Sequence, residues 1–319
     1  MKIVVTGAAG FLGRALTARL LASSADPEDR FVFIDRAPMA ASDPRVRCVT
    51  GDLGDASTID DLVPGAQVLY HLAAMPGGAA ESDYAGSRKI NLEASLMLLE
   101  RAAAESGRMR FVYASSIAVF GEPLPAHVDD ATCPRPSMTY GAHKLMVSVA
   151  LCNLTRLRRL DGFALHLPGL VARPRAGAGM KSAFMSDVFH AMANAERYVL
   201  PTGAEATAWF MSRSRCIDNL IHAGTMAPPP EGAPRSLTLP VVRASMRELI
   251  GALAQHTRAD ASLVEFQPDA KLEAQFGRLP PLTAAWAESL GFRSDGSVQA
   301  LVANTLRDAG YAMTISDGN

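Results

Sequence analysis

Short apolar runs alternate with stretches of helical periodicity through the first half of the chain. Ile3-Val4-Val5 is a β-branched run of the kind that forms a buried strand. Phe11, Leu12, Ala15, Leu16 and Leu20 follow at helical spacing. Further strands are predicted at 31–34, 46–50, 66–74, 110–116 and 162–167, with helices at 59–62, 84–105 and 140–158 between them. Strands alternating with helices over 1–170 predict an α/β fold, a Rossmann-type doubly wound parallel sheet. Ligands of such sheets sit beyond the carboxyl ends of the strands, where Gly7, Asp35, Asp52, Ala73 and Ser116 fall.

The pattern loosens after residue 170. Loops are expected at 173–179 and 228–234, a helix at 182–195 and a strand at 237–239. A capping box, Ser245-Met246-Arg247-Glu248, opens another helix, and a strand at 263–266 and helices at 283–290 and 298–306 follow. The expected organisation is a nucleotide-binding domain over 1–175 and a smaller C-terminal α/β substrate-binding lobe over 176–319.

Thr6-Gly7-Ala8-Ala9-Gly10-Phe11-Leu12-Gly13 joins the first strand to its helix with three glycines at i, i+3 and i+6. A strand feeding such a turn aims backbone N–H groups and the positive helix end at one spot, which suits a diphosphate. Gly7 permits the tight turn, Gly10 a close approach of pyrophosphate, and Gly13 close helix packing. Asp35, closing the second strand, is placed to accept hydrogen bonds from ribose hydroxyls and to repel a 2′-phosphate, which favours NAD over NADP. Arg36 beside it offers a guanidinium to such a phosphate.

Composition narrows the class. The chain has 319 residues, 49% hydrophobic and 20% charged, as in ordinary globular proteins, and a formal net charge of -1 gives no reason to expect nucleic acid or an anionic membrane as partner. Cys48, Cys133, Cys152 and Cys216 are scattered and predict free thiols in a reducing compartment. With a strand starting at Ile3 and no apolar run of membrane-spanning length, the expected location is the cytoplasm. No grouping has metal-ligand spacing, so no metal is expected.

Tyr140 and Lys144, in Tyr-Gly-Ala-His-Lys, stand at i and i+4 and so share one helix face. A free tyrosine has a pKa of about 10; a nearby ammonium and a cationic nicotinamide favour the phenolate. The phenolate can take the proton of a substrate hydroxyl while hydride leaves its carbon for the cofactor. Ser116, at the end of the fifth strand, is placed to hold the same oxygen. His71 reads as a satisfied core histidine and His143 as an exposed or packing residue.

Together these stretches resemble the extended short-chain dehydrogenases/reductases of the NAD-dependent epimerase/dehydratase family. In family order the matching residues are 6–13, Asp35, Gly51-Asp52-Leu53, His71-Leu72-Ala73-Ala74, Asn91-Leu92, 115–121, 140–144 and Arg173-Pro174. The resemblance implies Ser116, Tyr140 and Lys144 as the catalytic triad. It also implies Asp52 and Leu53 at the adenine, Ala73 and Ala74 along the cofactor, Asn91 supporting its middle and Pro168 at the nicotinamide. Candidate cofactor contacts are then Gly7, Ala9, Gly10, Phe11, Leu12, Asp35, Arg36, Asp52, Leu53, Leu72, Ala73, Ala74, Asn91, Tyr140, Lys144 and Pro168. Candidate substrate contacts are Met75, Ser116, Ile117, Arg173 and Phe184.

The helices at 84–105 and 140–158 carry apolar residues beyond one stripe (Leu96, Leu99, Met146, Val149, Leu154) and so need a second surface. The resemblance implies a homodimer joined through a four-helix bundle of those segments.

Within the family, 116–125, 209–212 and 288–293 resemble its sugar-acid dehydrogenases. His166 and Thr207 stand where arginines are expected in that group, which counts against a diphosphate or strongly acidic substrate bound in the usual way and weakens that finer likeness. Arg173, Arg175, Lys181 and Arg213 remain as cations for a carboxylate. The resulting expectation is an enzyme that oxidises a secondary hydroxyl of a small sugar acid with NAD. A nucleotide-sugar 4-epimerase with tightly bound NAD is the alternative. A non-catalytic dinucleotide sensor, the third class, would commonly lack the Tyr–Lys pair.

Overall fold

A computed structural model of the chain describes residues 1–105, 108–175 and 182–311. Their contacts divide them into two units. The first comprises Met1–Gly121, Cys133–Leu167 and Ile217–Thr238; the second comprises Glu122–Thr132, Pro168–Cys216 and the described residues from Leu239.

The first unit is built on a parallel sheet. Its strands are β1 (Lys2–Thr6), β2 (Arg30–Asp35), β3 (Val46–Thr50), β4 (Val68–His71), β5 (Arg110–Ser116), β6 (Asp161–Leu167) and the strand Ser236–Thr238. Their order, from the edge at Ser236–Thr238, is β6, β5, β4, β1, β2, β3. The chain order reverses between β1 and β4, where Val4 pairs with Val32 on one side and Leu69 on the other. Helices α1 (Phe11–Ser23), α2 (Ala56–Leu62), α3 (Gly77–Ser82), α4 (Tyr84–Ser87), α5 (Ala94–Ala104) and α6 (Thr139–Arg156) accompany these strands. Val4, Val32, Leu69, Phe111 and Tyr113 meet Leu98 and Ala102 of α5 and Val147 and Leu151 of α6 in one buried cluster. The fully apolar centres of β1, β2 and β5 are what a sheet buried on both faces requires.

Three expectations are amended. β4 ends at His71, not at residue 74: Leu72 N still donates to Thr6 O at 3.2 Å, but beyond it β1 has turned into its glycine loop and offers no further ladder. The helix expected over 84–105 is α4, a π-helical segment Arg88–Glu93, and α5. Apolar periodicity carries no signal for that widened turn, because the residue it turns inward is the polar Asn91. The strand expected at 237–239 lies at Ser236–Thr238 and pairs parallel with β6, becoming the sheet's seventh strand.

In the second unit, Thr207–Met211 is the middle strand of three, antiparallel to Val242–Ser245 and parallel to Gly169–Leu170. Tyr198–Leu200 pairs with Val264–Phe266. Phe189 and Phe210 pack with Leu249 and Leu253 of the helix Met246–Thr257 and Leu301 of the helix Val298–Asp308. Ser245 and Glu248 make both bonds of the expected capping box.

Candidate active site

At the end of β1 the backbone forms a cradle. Gly7 has φ +69°, and a Cβ there would stand 2.6 Å from Ala73 N; a Cβ on Gly13 would stand 2.1 Å from Gly7 O. Both glycines are therefore required for α1 and the Leu72–Ala73 segment to come this close to the loop. Asp35 closes the cradle from β2: its Oδ2 accepts from Ala9 N and its Oδ1 from Ala37 N, each at 3.0 Å. Each carboxylate oxygen keeps a second lone pair for a ribose hydroxyl. A glycine loop, a helix N-terminus without acidic residues in its first turn, and a carboxylate on the neighbouring strand fit a dinucleotide.

The next strand ends line up beside it. Asp52 Oδ1 accepts from Gly54 N at 2.8 Å, and Leu53 is buried. Leu72, Ala73 and Ala74 are half-buried beyond β4, with Ala73 N donating to Thr6 Oγ1 at 3.3 Å. Asn91, buried by the π segment, holds Met75 through both of that residue's backbone groups.

Ser116 ends β5, and its Oγ accepts from Ala118 N at 3.1 Å, which leaves the hydroxyl proton to be donated elsewhere. Tyr140 and Lys144 come from the start of α6. A Cβ on Gly141 would stand 1.9 Å from Ala118 O, so only glycine lets the first turn of α6 approach the turn after Ser116 this closely. Lys144 is fully buried; its Nζ donates to Ala114 O at 2.6 Å and lies 5.6 Å from the Tyr140 ring centre. Burial without an acidic partner lowers its pKa to about 7.

Sequence reasoning passed over Tyr113, whose ring centre is 4.6 Å from Lys144 Nζ. Period two on β5 is the signal that finds it, since Phe111, Tyr113 and Ser115 share a face. Ser148 of α6 is 3.1 Å from Ser115 on that face.

The histidines are structural. His71 has Thr6 Oγ1 at 2.7 Å from Nδ1 and Ser95 Oγ at 2.8 Å from Nε2, the satisfied core histidine expected. Burial, then the Lys144 charge, holds its pKa down to about 3. His143 is a packing residue rather than an exposed one, bonded to Ser87 Oγ at 3.1 Å and set against Tyr84. His166 is buried between Thr238 Oγ1 at 3.1 Å and Ser236 Oγ at 2.9 Å, and burial keeps it neutral.

In the second unit Pro168 is buried, and Phe184 packs in the core with its edge toward Phe276. Arg173 is half-buried; its Nε donates to Leu170 O at 3.1 Å, and His190 Nε2 donates to its carbonyl at 2.6 Å. That bond leaves Nδ1 to accept from Tyr311 OH at 2.8 Å. Thr207 is engaged with Leu279 O at 2.9 Å. Lys181 lies outside the described residues. Burial pushes the Cys152 thiol up to about 11 and Cys216 up to about 12, and all four cysteines are free. Among the described residues no group of three His, Cys, Asp or Glu could hold a metal, and no helix is long and apolar enough to cross a membrane.

Known proteins resemble this chain along most of its length. Residues 3–234 match the model of the NAD dependent epimerase/dehydratase family. D-erythronate dehydrogenase of Cupriavidus necator is 32% identical, the match covering 98% of this chain and 100% of the relative. Its namesake in Haemophilus influenzae is 30% identical over 95% and 98%. Among solved structures, a nucleoside-diphosphate-sugar epimerase from Agrobacterium tumefaciens superposes with a TM-score of 0.87 at 27% identity, covering 98% of this chain and 95% of its own. The fold is also that of a GalE-like L-threonine dehydrogenase from Cupriavidus necator, with a TM-score of 0.82 at 19% identity over 97% and 99% of the two chains. With residues 3–234 matched by the family model and two relatives of 30% identity or more aligned along nearly the whole chain, the chain belongs to the NAD-dependent epimerase/dehydratase family.

Proposed function

We propose that this protein oxidises a secondary hydroxyl of a small sugar acid, with D-erythronate the first candidate, using NAD. The observation that carries the reading is full-length similarity to two relatives named D-erythronate dehydrogenase, in a chain that has Ser116, Tyr140 and Lys144. NAD, when bound, supplies the acceptor for the hydride that leaves the alcohol carbon. Tyr140 as phenolate takes the hydroxyl proton, so that the carbon–oxygen bond becomes a carbonyl. Ser116 donates a hydrogen bond to that same oxygen and fixes its position. Lys144, buried beside the Tyr140 ring, favours the phenolate by its charge. In this reading Asp35 with Arg36, Asp52 and Leu53 serve the adenosine half of NAD, the loop Gly7–Leu12 its diphosphate, and Leu72–Ala74, Asn91 and Pro168 its remainder. Met75 and Ile117 are the first unit's candidates for the substrate, and Arg173 is the second unit's cation for a carboxylate.

A 4-epimerase is the weaker reading. Such an enzyme needs cations for a sugar nucleotide's diphosphate, and two positions expected to be arginine hold His166, buried and neutral, and Thr207, bonded to backbone.

We infer a homodimer from one exposed apolar stripe. Tyr84, Met146 and Val149 are 59%, 45% and 60% exposed; Tyr84 abuts His143, and 143, 146 and 149 follow one another at i+3 on α6. Leu99 and Leu154 are instead buried within the unit and Leu96 packs against its core, so they do not belong to that stripe.

The deciding assay follows NADH absorbance with NAD and D-erythronate, beside NAD and UDP-galactose. Stoichiometric NADH from the sugar acid, lost by a factor of about 10²–10⁴ in Tyr140→Phe, is expected. UDP-glucose formed from UDP-galactose without net NADH would replace this reading with the epimerase.

A further inference from the structure

Lys144 is an ammonium-bearing side chain sealed inside the first unit, and no acidic side chain among the described residues offsets its burial. Its Nζ donates to a neutral carbonyl, Ala114 O, at 2.6 Å. Left to desolvation such a lysine sheds its proton, and a neutral amine cannot favour a phenolate at Tyr140. Two aromatic rings face the nitrogen: that of Tyr140, from its own helix, at 5.6 Å and that of Tyr113, from β5, at 4.6 Å. The nearer ring is braced. His71 of β4 stacks on it with ring centres 5.5 Å apart and planes 21° apart. Hydroxyls of Thr6 and Ser95 at its two nitrogens fix the plane of the imidazole. The Tyr113 hydroxyl is buried and meets no hydrogen-bond partner among the described residues, so it is the ring that the site uses.

We propose that Tyr113 is a positioning residue for Lys144: its ring, stacked with His71, holds the lysine as an ammonium beside Tyr140. A cation over an aromatic face is attracted by the ring quadrupole, most strongly where water is excluded. The titratable groups facing Lys144 are Tyr140 on α6, Tyr113 on β5 and His71 on β4. Tyr113 stays protonated through burial and His71 stays neutral, so neither places a competing charge there. The inference rests on the proposed role of Lys144 as the electrostatic partner of Tyr140.

The test reads Lys144 directly. The chain has five lysines, Lys2, Lys89, Lys144, Lys181 and Lys271, so lysine labelled with ¹³C at Cε gives five signals, and Lys144→Arg identifies the one of interest. In the full-length protein the Lys144 signal is titrated with pH for wild type, Tyr113→Phe and Tyr113→Leu. Tyr113→Phe keeps the ring and is expected to leave the midpoint in place; Tyr113→Leu is expected to lower it by about one pH unit. Should Tyr113→Leu fail to fold, phenylalanine analogues of rising fluorine content at position 113 weaken the quadrupole at nearly constant shape. The midpoint should then fall stepwise with fluorination. An unchanged midpoint in Tyr113→Leu, or across the fluorinated series, would overturn the proposal. The high-pH limb of kcat/KM should move with the midpoint. Because the NMR titration needs no substrate, a protein that shows the ring effect but oxidises no sugar acid refutes the function and not the positioning.

Discussion

Asn91 grips the backbone of Met75 from both sides: Met75 N donates to Asn91 Oδ1 at 2.7 Å, and Asn91 Nδ2 donates to Met75 O at 2.9 Å. The π-helical turn Arg88–Glu93 makes this possible by rotating a polar residue inward, where it is 1% exposed. Met75 follows directly on Ala73 and Ala74, so the clasp fixes the path of the chain leaving β4 next to the glycine cradle. Asn91→Ala leaves the half-buried N–H and C=O of Met75 without this partner and is expected to cost about 1 kcal/mol of stability. Thermal unfolding should show the loss, and the KM for NAD should rise several-fold more than kcat falls.

How the site is assembled was legible only where a residue's type matched its job. The glycines, Asp35, Ser116, Tyr140 and Lys144 stand at strand ends or at helix spacing, and those periodicities survive in the folded chain. The segment 84–105 reads as one helix because Ile90, Ala94, Leu98 and Ala102 keep helical spacing, while the widened turn at Asn91 leaves no trace in apolar periodicity. Tyr113 looked like one more apolar position of a buried strand; its relation to Lys144 depends on how α6 lies across β5, which spacing along the chain does not encode. His166 shows the opposite limit. Compared with an expected arginine it suggested a lost anion contact, whereas its two nitrogens join β6 to the strand Ser236–Thr238.

Asp35 carries two tasks, accepting from Ala9 N and Ala37 N while presenting negative charge at the end of β2. Asp35→Asn retains an acceptor oxygen and removes the charge that would repel a 2′-phosphate, with Arg36 still beside it. The ratio of kcat/KM for NAD to that for NADP should fall roughly tenfold to a hundredfold, the range that relief of like-charge juxtaposition supplies. Steady-state kinetics with each cofactor measures it.

The exposed stripe Tyr84, Met146 and Val149 yields a prediction about assembly. Val149→Glu places a charge on this apolar stripe and leaves the buried face of α6, with Val147 and Leu151, untouched. Light scattering on the eluting protein should give the mass of two chains for wild type and of one for the variant, with far-ultraviolet circular dichroism unchanged. A wild-type mass equal to one chain would refute the dimer.

Lys144 is required by the proposed chemistry and works against the fold. Its pKa is lowered from 10.5 to about 7 by desolvation, so between those values the unfolded chain binds a proton that the native chain does not. Wild-type stability contributed by this group therefore rises with pH from about 7 toward 10.5, and below pH 7 the full cost of an ammonium kept in the interior is present. Lys144→Met fills similar volume with no charge to desolvate. It should abolish turnover yet raise the unfolding free energy by roughly 1–3 kcal/mol at pH 6, in the range seen when buried ionic groups give way to apolar ones. That advantage should shrink steadily as the pH climbs past 7 and largely disappear near 10.5. Urea unfolding of both proteins at pH 6, 7.5 and 9 reads the trend; a difference that stays flat with pH would mean that Lys144 is not buried as an ammonium.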